Sequence, residues 1–412
     1  MNEIAGFGER LRRSREWAGF SQHDAASVTG IARELISYWE TGRRTPSLVQ
    51  LAKLAGTYGT TASYLLGTGQ APSQAEEHAL LYRDIDARSA RTRAEVNRWL
   101  AFLDDWANLR AERGEDLPGR GAPPKPWLAP QAVTDSRRAA RLASKVREYY
   151  HLGSDAIPDL VAFLDQHDVL VYRVSLDRID APGGVSGIFY NHPRLGYCIL
   201  VNTNTTPGRQ TFTLAHEYAH ALFHYQATGL VSRAGATVRT ETFADAFAAH
   251  FLVPTEALHA LVTQRELGGV ASPYDVIQLQ QYFRVSYATM LNRLYSEGFL
   301  TAEQYAGYQS YSPKSLAAQL GLDTGQYGRL RETSTITLRR YPPSLLERVR
   351  TLVEDEELSP TGAASLLRVS VETIHEQLLA EPLVADTDER REFAELPHPR
   401  PPKTSVTRHA GV

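Results

Sequence analysis

Residues 213–224 read TLAHEYAHALFH, with histidines at 216, 220 and 224 and Glu217 directly after the first. In a helix, residues four apart stand one above the other on one face. His216 and His220 can therefore offer two imidazoles to a single ion. Glu217 lies about 100° around the helix from His216, off the ligand row but within reach of a water on the ion. Metal-assisted peptide hydrolysis requires this arrangement. The ion lowers the pKa of the water and polarises the carbonyl, while the carboxylate takes a proton and passes it to the leaving amine. H-E-x-x-H on a helix is a sequence signature of that chemistry.

A catalytic zinc site needs a third protein ligand and one open position. His224 sits two turns from His216, about 12 Å along the axis. One ion does not bridge that span on a straight helix, so His224 takes a packing or supporting role. Glu241 is the better third ligand. It opens a second helix, RTETFADAFAAHFLV (239–253), which stops at Pro254. Asp245, one turn further on, is placed to accept the N–H of a ligand histidine. Phe243, Ala244, Phe247, Ala248 and Phe251 form the apolar side that meets the first helix, and the two alanines permit close approach.

Working outward, helices are expected at 134–151 and 156–167, followed by a strand at 169–175. Residues 184–204, GVSGIFYNHPRLGYCILVNTN, read as a hairpin with its turn at His192–Gly196. Further helices are expected at 273–283 and 286–297, with shorter helical pieces over 312–380. Between 74 and 113, Leu80, Leu81, Ile85, Val96, Trp99, Leu100, Leu103 and Trp106 recur at helical spacing. This segment is either a dimer contact or a helix packed on the chain's own domain that carries the metal motif.

The totals set bounds. At 412 residues the chain is long enough for several domains. Lys+Arg 44 against Asp+Glu 47 gives a net charge of −3. That excludes a general polyanion binder, so nucleic-acid contact needs a local basic surface. Cys198 stands alone, so no intrachain disulfide forms, which fits a reducing compartment. No stretch approaches the ~20 apolar residues of a membrane span, and the N-terminus lacks an apolar signal core. A cytoplasmic location is expected, with no membrane partner.

RQTFTLAHEYAHALFH (209–224) followed by ETFADAFAAHFLVP (241–254) resembles the ImmA/IrrE metallopeptidase family over about residues 140–300. Those members carry R-x-x-F-T-L-A-H-E-x-x-H and then E-x-x-A-[ND]-x-F-A-x-x-x-L-x-P. The resemblance implies a gluzincin-like zinc site, with manganese as the alternative metal. His216, His220 and Glu241 would be the ligands and Glu217 the general base. It also implies site-specific cleavage of repressor proteins that switches on stress or mobile-element genes. In metallopeptidases of this shape a substrate chain pairs with an edge strand, here 184–190 or 197–203. Tyr190, His192, Tyr197 and Arg209 are candidates for stabilising an oxyanion.

At the other end, SQHDAASVTGIARELISYWE (21–40) reads as helix, turn at Thr29–Gly30, helix. Ser21 can cap the first helix, and Ala25, Val28, Ile31, Ile36 and Trp39 supply a shared core. With the following GRRTPS turn, residues 7–67 resemble XRE/Cro-type helix-turn-helix repressors, except that Ala32 replaces the usual capping Ser or Thr. The resemblance places Arg33, Glu34, Ser37 and Tyr38 toward base edges, and Gln22, Arg43 and Arg44 toward phosphates. Residues 1–70 hold eight Lys/Arg and six Asp/Glu, 8 − 6 = +2, so dimeric, salt-dependent binding to a palindromic operator is expected. The cadence LSPTGAASLLRVSVETIHEQLL (358–379) reads as a generic helical pair rather than a second reader.

The expected architecture is multidomain and mainly α. It comprises a lambda-repressor-like all-α domain (1–70), a helical connector (74–113) and a Pro/Gly linker (114–130). An α+β zincin-like domain with a small sheet (131–310), a helical C-terminal region (311–385) and a disordered tail (386–412) follow. The functional expectation is a DNA-binding regulator with a built-in zinc endopeptidase that cuts a repressor or the chain itself, near 68–73 or 114–130. The alternatives are a non-proteolytic regulator whose peptidase-like domain senses a ligand, and an antitoxin- or phage-type module. Retention of His216, Glu217, His220 and Glu241 favours the enzyme, because a sensor needs neither Glu217 nor a complete ligand set.

Overall fold

The computed structural model describes residues 3–68, 90–115, 135–181, 184–225, 229–233, 239–263, 270, 272–327 and 338–380. The chain divides into two compact units, 1–348 and 349–412. The proposed cleavage linkers, the expected tail and the segment with Leu80, Leu81 and Ile85 fall largely or wholly outside the described residues.

The head consists of α1 (Glu3–Trp17), α2 (Gln22–Thr29), α3 (Arg33–Glu40), α4 (Leu48–Tyr58) and α5 (Ala62–Leu66). Its helix starts follow from local chemistry. Ser21 and Asp24 form a capping box on α2, and Ser47 with Gln50 forms another on α4. Gly30 turns the chain out of α2 at φ 65°, in the left-handed region that glycine adopts at no steric cost. Leu11, Ala25, Ile36, Trp39, Leu54 and Leu65 are buried together.

The long helix α6 (Ala90–Glu112) is seated on two things at once. Toward the head, Asn97 Nδ2 donates to Thr57 O at 3.0 Å, and the Arg93 guanidinium lies 5.3 Å from the Phe20 ring centre. Toward the sheet, Trp99 meets Tyr190 edge-on and Phe102 stacks with Tyr172. Over 90–112 the segment packs on the sheet of the domain that carries the metal motif, and it contacts the head as well.

After α7 (Ala139–Tyr149) and α8 (Leu160–Asp165) come β1 (Leu170–Val174), β2 (Val185–His192) and β3 (Gly196–Asn202). The motif helix α9 (Pro207–Phe223) follows, then β4 (Gly229–Arg233) and α10 (Arg239–Leu252). The sheet order is β1-β3-β2-β4, with β1 parallel to β3 and the other pairs antiparallel. β2 and β3 are thus interior strands, and the expectation that either is a substrate-pairing edge is overturned. The reason is β4, GLVSR, which pairs along the outer side of β2 and takes the terminal position on that side of the sheet.

The sheet is covered on both faces. Phe189, Ile199 and Val201 point into the core shared with α9 and α10, whereas Tyr190 and Tyr172 meet α6. Strand alternation alone produces this split.

Further α-helices of the first unit, among the described residues, are α11 (Thr255–Thr263), α12 (Pro273–Phe283), α13 (Tyr287–Ser296), α14 (Ala302–Gln309) and α15 (Pro313–Gln319). Helix α16 (Pro343–Glu354) leads into α17 (Pro360–Leu366) and α18 (Val371–Thr373). Within the second unit, Leu352, Ala363, Leu367, Ile374 and Leu378 are buried, and Arg350 Nε donates to Leu378 O at 2.7 Å.

Candidate metal centre

Helix α9 begins with Thr206 in extended conformation and Pro207 in its first turn, where the missing N–H costs nothing. It lies against α10 through small and aromatic residues. Ala244 and Ala248 are fully buried, and Phe223 packs edge-on to Phe243 and Phe247. The C-terminal end of α10 receives two buried arginines. Arg147 Nη1 donates to Phe251 O at 2.7 Å, and Arg293 Nη2 to Val253 O at 3.2 Å. Cations there complement the helix dipole and hold α10 against its neighbours.

This packing brings three ligand groups to one point. His216 Nε2 and His220 Nε2 are 3.1 Å apart. Glu241 Oε2 is 3.2 Å from His216 Nε2, and Glu241 Oε1 is 3.2 Å from His220 Nε2. Their ligand atoms all lie within 4.8 Å of one another. Ligands at ~2.0–2.1 Å from a tetrahedral zinc stand roughly 3.3 Å apart, so the spacing fits a single small cation. The other ring nitrogens are engaged from behind: Asp245 Oδ1 is 2.8 Å from His216 Nδ1, and His224 Nδ1 is 2.8 Å from His220 Nδ1. His224 supports a neighbouring imidazole from outside the three-group cluster.

The electrostatics also call for a cation. Three carboxylates, Glu217, Glu241 and Asp245, surround two imidazoles, and Glu217 and His220 are 0% exposed. Burial opposes the charged form of His216, but hydrogen bonds to Asp245 and Glu241 outweigh it and raise its pKa to about 10. Burial also opposes ionisation of Glu241, yet the two imidazoles hold it well below the usual carboxylate range. For His220 burial prevails, and its pKa is lowered.

Glu217 is different. Both its oxygens lack a normal hydrogen bond among the described residues, as does the buried Ser232 Oγ on β4. Burial drives its pKa up to about 8, even though Ser232 and the Phe189 amide lie close enough to favour the charged form. A buried carboxyl with no partner is costly, and here it lies directly after the ligand His216 on α9, turned toward β2. Gly187 makes room for it: a Cβ at that position would stand 2.5 Å from Glu217 Oε1. The register shift between β2 and β4 falls at Val185/Gly187, and such bulges recur beside active sites.

Gly187 and Ser232 were not singled out in the sequence. A glycine inside a strand is a recognised sign of close approach, so Gly187 carried a signal. Ser232 carried none. Two of the four oxyanion candidates are corrected. Tyr190 packs on Trp99 of α6, and His192 contacts Asp104 of the same helix at 3.3 Å. Their side chains leave β2 on the face away from α9. Tyr197 lies on the α9 side, stacked on Phe189, and Arg209 lies at the start of α9.

In the head, Arg33, Glu34, Arg43 and Arg44 are exposed, and Ser37 and Tyr38 are half-buried. The Arg44 guanidinium sits 5.6 Å from the Tyr38 ring centre. Gln22 is engaged internally, donating to Glu40 Oε2 at 2.9 Å, while Glu40 also accepts from Arg15 at 2.7 Å. Ala32 starts α3 with no side-chain cap bond.

Two family models match the chain: a helix-turn-helix domain over residues 7–64 and the IrrE N-terminal-like domain over residues 165–295. Among curated proteins, the chain is similar to the HTH-type transcriptional regulator RamB of Mycobacterium tuberculosis. Identity is 23% over 319 residues, covering 70% of this chain and 64% of RamB. The chain thus spans somewhat less than two thirds of that relative's length. It is also similar to the HTH-type transcriptional regulator ImmR of Bacillus subtilis, at 32% over 98 residues, covering 24% of this chain and 75% of ImmR. A prophage-derived regulator of the same bacterium, YonR, is 38% identical over 60 residues, 15% of this chain and 56% of YonR. No solved structure matches. No described helix is long and apolar enough to cross a membrane. The chain belongs to the XRE/Cro-type helix-turn-helix transcriptional regulators that carry an ImmA/IrrE-family peptidase domain.

Proposed function

We propose that this regulator binds operator DNA through its head and cleaves protein through a metal centre formed by His216, His220 and Glu241. The convergence of these three side chains beside a buried, unpartnered Glu217 carries the reading. Zinc, or manganese in its place, would supply Lewis-acid polarisation of a peptide carbonyl and a more acidic water. The protein's own residues do the rest. Asp245 fixes the His216 ring by accepting its Nδ1 proton, which leaves Nε2 free as a ligand. Glu217, in its carboxylate form, would take a proton from the attacking water and deliver it to the leaving amine. β4 is the terminal strand next to the β2 segment that faces Glu217, so an extended substrate chain would add along β4.

For the head, Arg33, Glu34, Ser37 and Tyr38 would face bases, and Arg43 and Arg44 phosphates. Gln22, bonded to Glu40, would act by orienting α2 as well as by contacting the backbone. A homodimer on a palindrome and a repressor as the cleaved protein complete the proposal. The deciding experiment compares the full-length protein with Glu217→Gln on a proteome-derived peptide library, with metal analysis alongside. Cleavage should fall by roughly 10²–10⁴-fold with metal content unchanged. Equal cleavage by the two proteins would remove the base role.

A further inference from the structure

A cavity of about 440 Å³, lined by both polar and apolar groups, opens where α9 and α13 begin. Gly208 allows these two helix starts to touch, since a Cβ there would stand 2.6 Å from both Ser286 N and Val285 C. Thr206, the N-cap of the 17-residue α9, makes no side-chain cap bond, so the first-turn amides of that helix have no such acceptor. The 10-residue α13 is capped by Ser286 through Thr289 N but still directs its positive dipole end at the same space. Arg209 and Lys314 line the cavity and are exposed. Asp180, also in the lining, is paired with Arg178.

The inner wall adds an independent observation. Gln280 is only 3% exposed and lines the cavity. Its Nε2 donates to Tyr327 Oη at 2.8 Å, but its Oε1 has no partner among the described residues. A buried acceptor without a donor asks for one. Helix starts and two cations ask for an anion.

We propose that this cavity binds a small oxyanion that also carries a hydroxyl, phosphate being the simplest case. The charge would rest on the helix starts, Arg209 and Lys314, and the hydroxyl would donate to Gln280 Oε1. The site is separate from the metal centre, since Pro207 precedes His216 by about 14 Å along α9. It gives that helix a ligand at its N-terminal end.

The test uses the full-length protein, with inorganic phosphate and sulfate titrated at matched ionic strength and followed by calorimetry and thermal shift. Near neutral pH phosphate keeps an O–H and sulfate has none. Phosphate should bind about tenfold or more tightly than sulfate, a difference of ~1.4 kcal/mol. The Arg209→Ala/Lys314→Ala double variant, changed only at exposed positions, should weaken both anions at least tenfold. Gln280→Met should abolish the preference and spare sulfate binding. Equal binding of the two anions, or an unaltered titration in the double variant, overturns the proposal. Loss of phosphate binding in Glu241→Ala would also overturn it, by placing the anion at the metal centre.

Discussion

The metal centre and the reading head are both built from paired helices, yet they turn their polar residues in opposite directions. In the centre His216, Glu217, His220 and Glu241 point inward and are at most 8% exposed. In the head Arg33, Glu34, Arg43 and Arg44 point outward. Inward polar groups are costly unless something satisfies them, so their presence argues for a ligand. Outward ones cost nothing, so each carries little information by itself. His192 sharpens the point. It too is buried against a carboxylate, Asp104 at 3.3 Å, but its Nδ1 accepts the amides of Arg194 and Leu195 at 3.2 and 3.0 Å. Its hydrogen-bonding capacity is used up, whereas His216 keeps Nε2 turned toward two other ligand groups.

The largest effect should therefore separate these two histidines. His220→Ala is expected to take metal content from near one per chain to near zero. His192→Ala should leave metal content intact and cost about 1–3 kcal/mol of stability through lost hydrogen bonds. Elemental analysis and thermal unfolding of both variants decide it. Metal loss in His192→Ala would erase the distinction.

A second break comes from β2. Gly187→Ala forces a methyl against Glu217 Oε1 and Thr213 Cγ2, at 2.5 and 2.8 Å. Overpacking of this kind costs ~1–3 kcal/mol. Cleavage should fall at least tenfold while metal stays bound, because the base moves and the ligands do not. Normal cleavage would show that the strand gives way instead.

How much of this was legible follows from where the information sits. The ligand pair and its base lie within five residues of one helix, so spacing alone exposes them. Glu241 and Asp245 were readable because the second helix has its own period and a proline stop. In the head, Ser21, Gly30 and Ser47 announce helix ends by local hydrogen bonding. By contrast β4 is five residues, GLVSR, with no alternation to mark it, and it exists because β2 offers a free side. The short helix α11 after Pro254 was also not anticipated. The placement of Tyr190 and His192 on the far face depends on α6 covering the sheet, a long-range contact that no local pattern encodes. The same holds for Gly208 meeting α13.

A third prediction concerns pH. Burial raises the Glu217 pKa to about 8 from an ordinary 4.5. In chelator-treated protein the folded state thus binds a proton that the unfolded chain has already released above pH 4.5. The stability linked to this group is complete below about 4.5 and is lost as pH rises through about 8. Glu217→Gln removes the titration. The melting temperature of the variant minus that of the parent, both metal-stripped, should grow between pH 5 and pH 9. A flat difference across that range would mean that Glu217 is solvated or partnered in solution.

The smallest effect belongs to the outward-facing head. Helices α2, α4 and α5 start with side-chain caps from Ser21, Ser47 and Thr61, but α3 starts at Ala32 with none. Ala32 already has φ −56° and ψ 135°, close to the extended backbone an N-cap residue adopts. Ala32→Ser therefore needs no backbone change to bring its oxygen to a first-turn amide, and it should stabilise α3 by about 0.5–2 kcal/mol. Hydrogen exchange on the full-length protein would register this as slower exchange across 33–40, with metal content and cleavage unchanged. If α3 gained no protection, its start would be set by the contacts of Ile36 and Trp39 in the core rather than by capping. If cleavage changed as well, the head and the centre would be coupled through α6, and the contrast between an outward face free to vary and an inward one that is not would have to be given up.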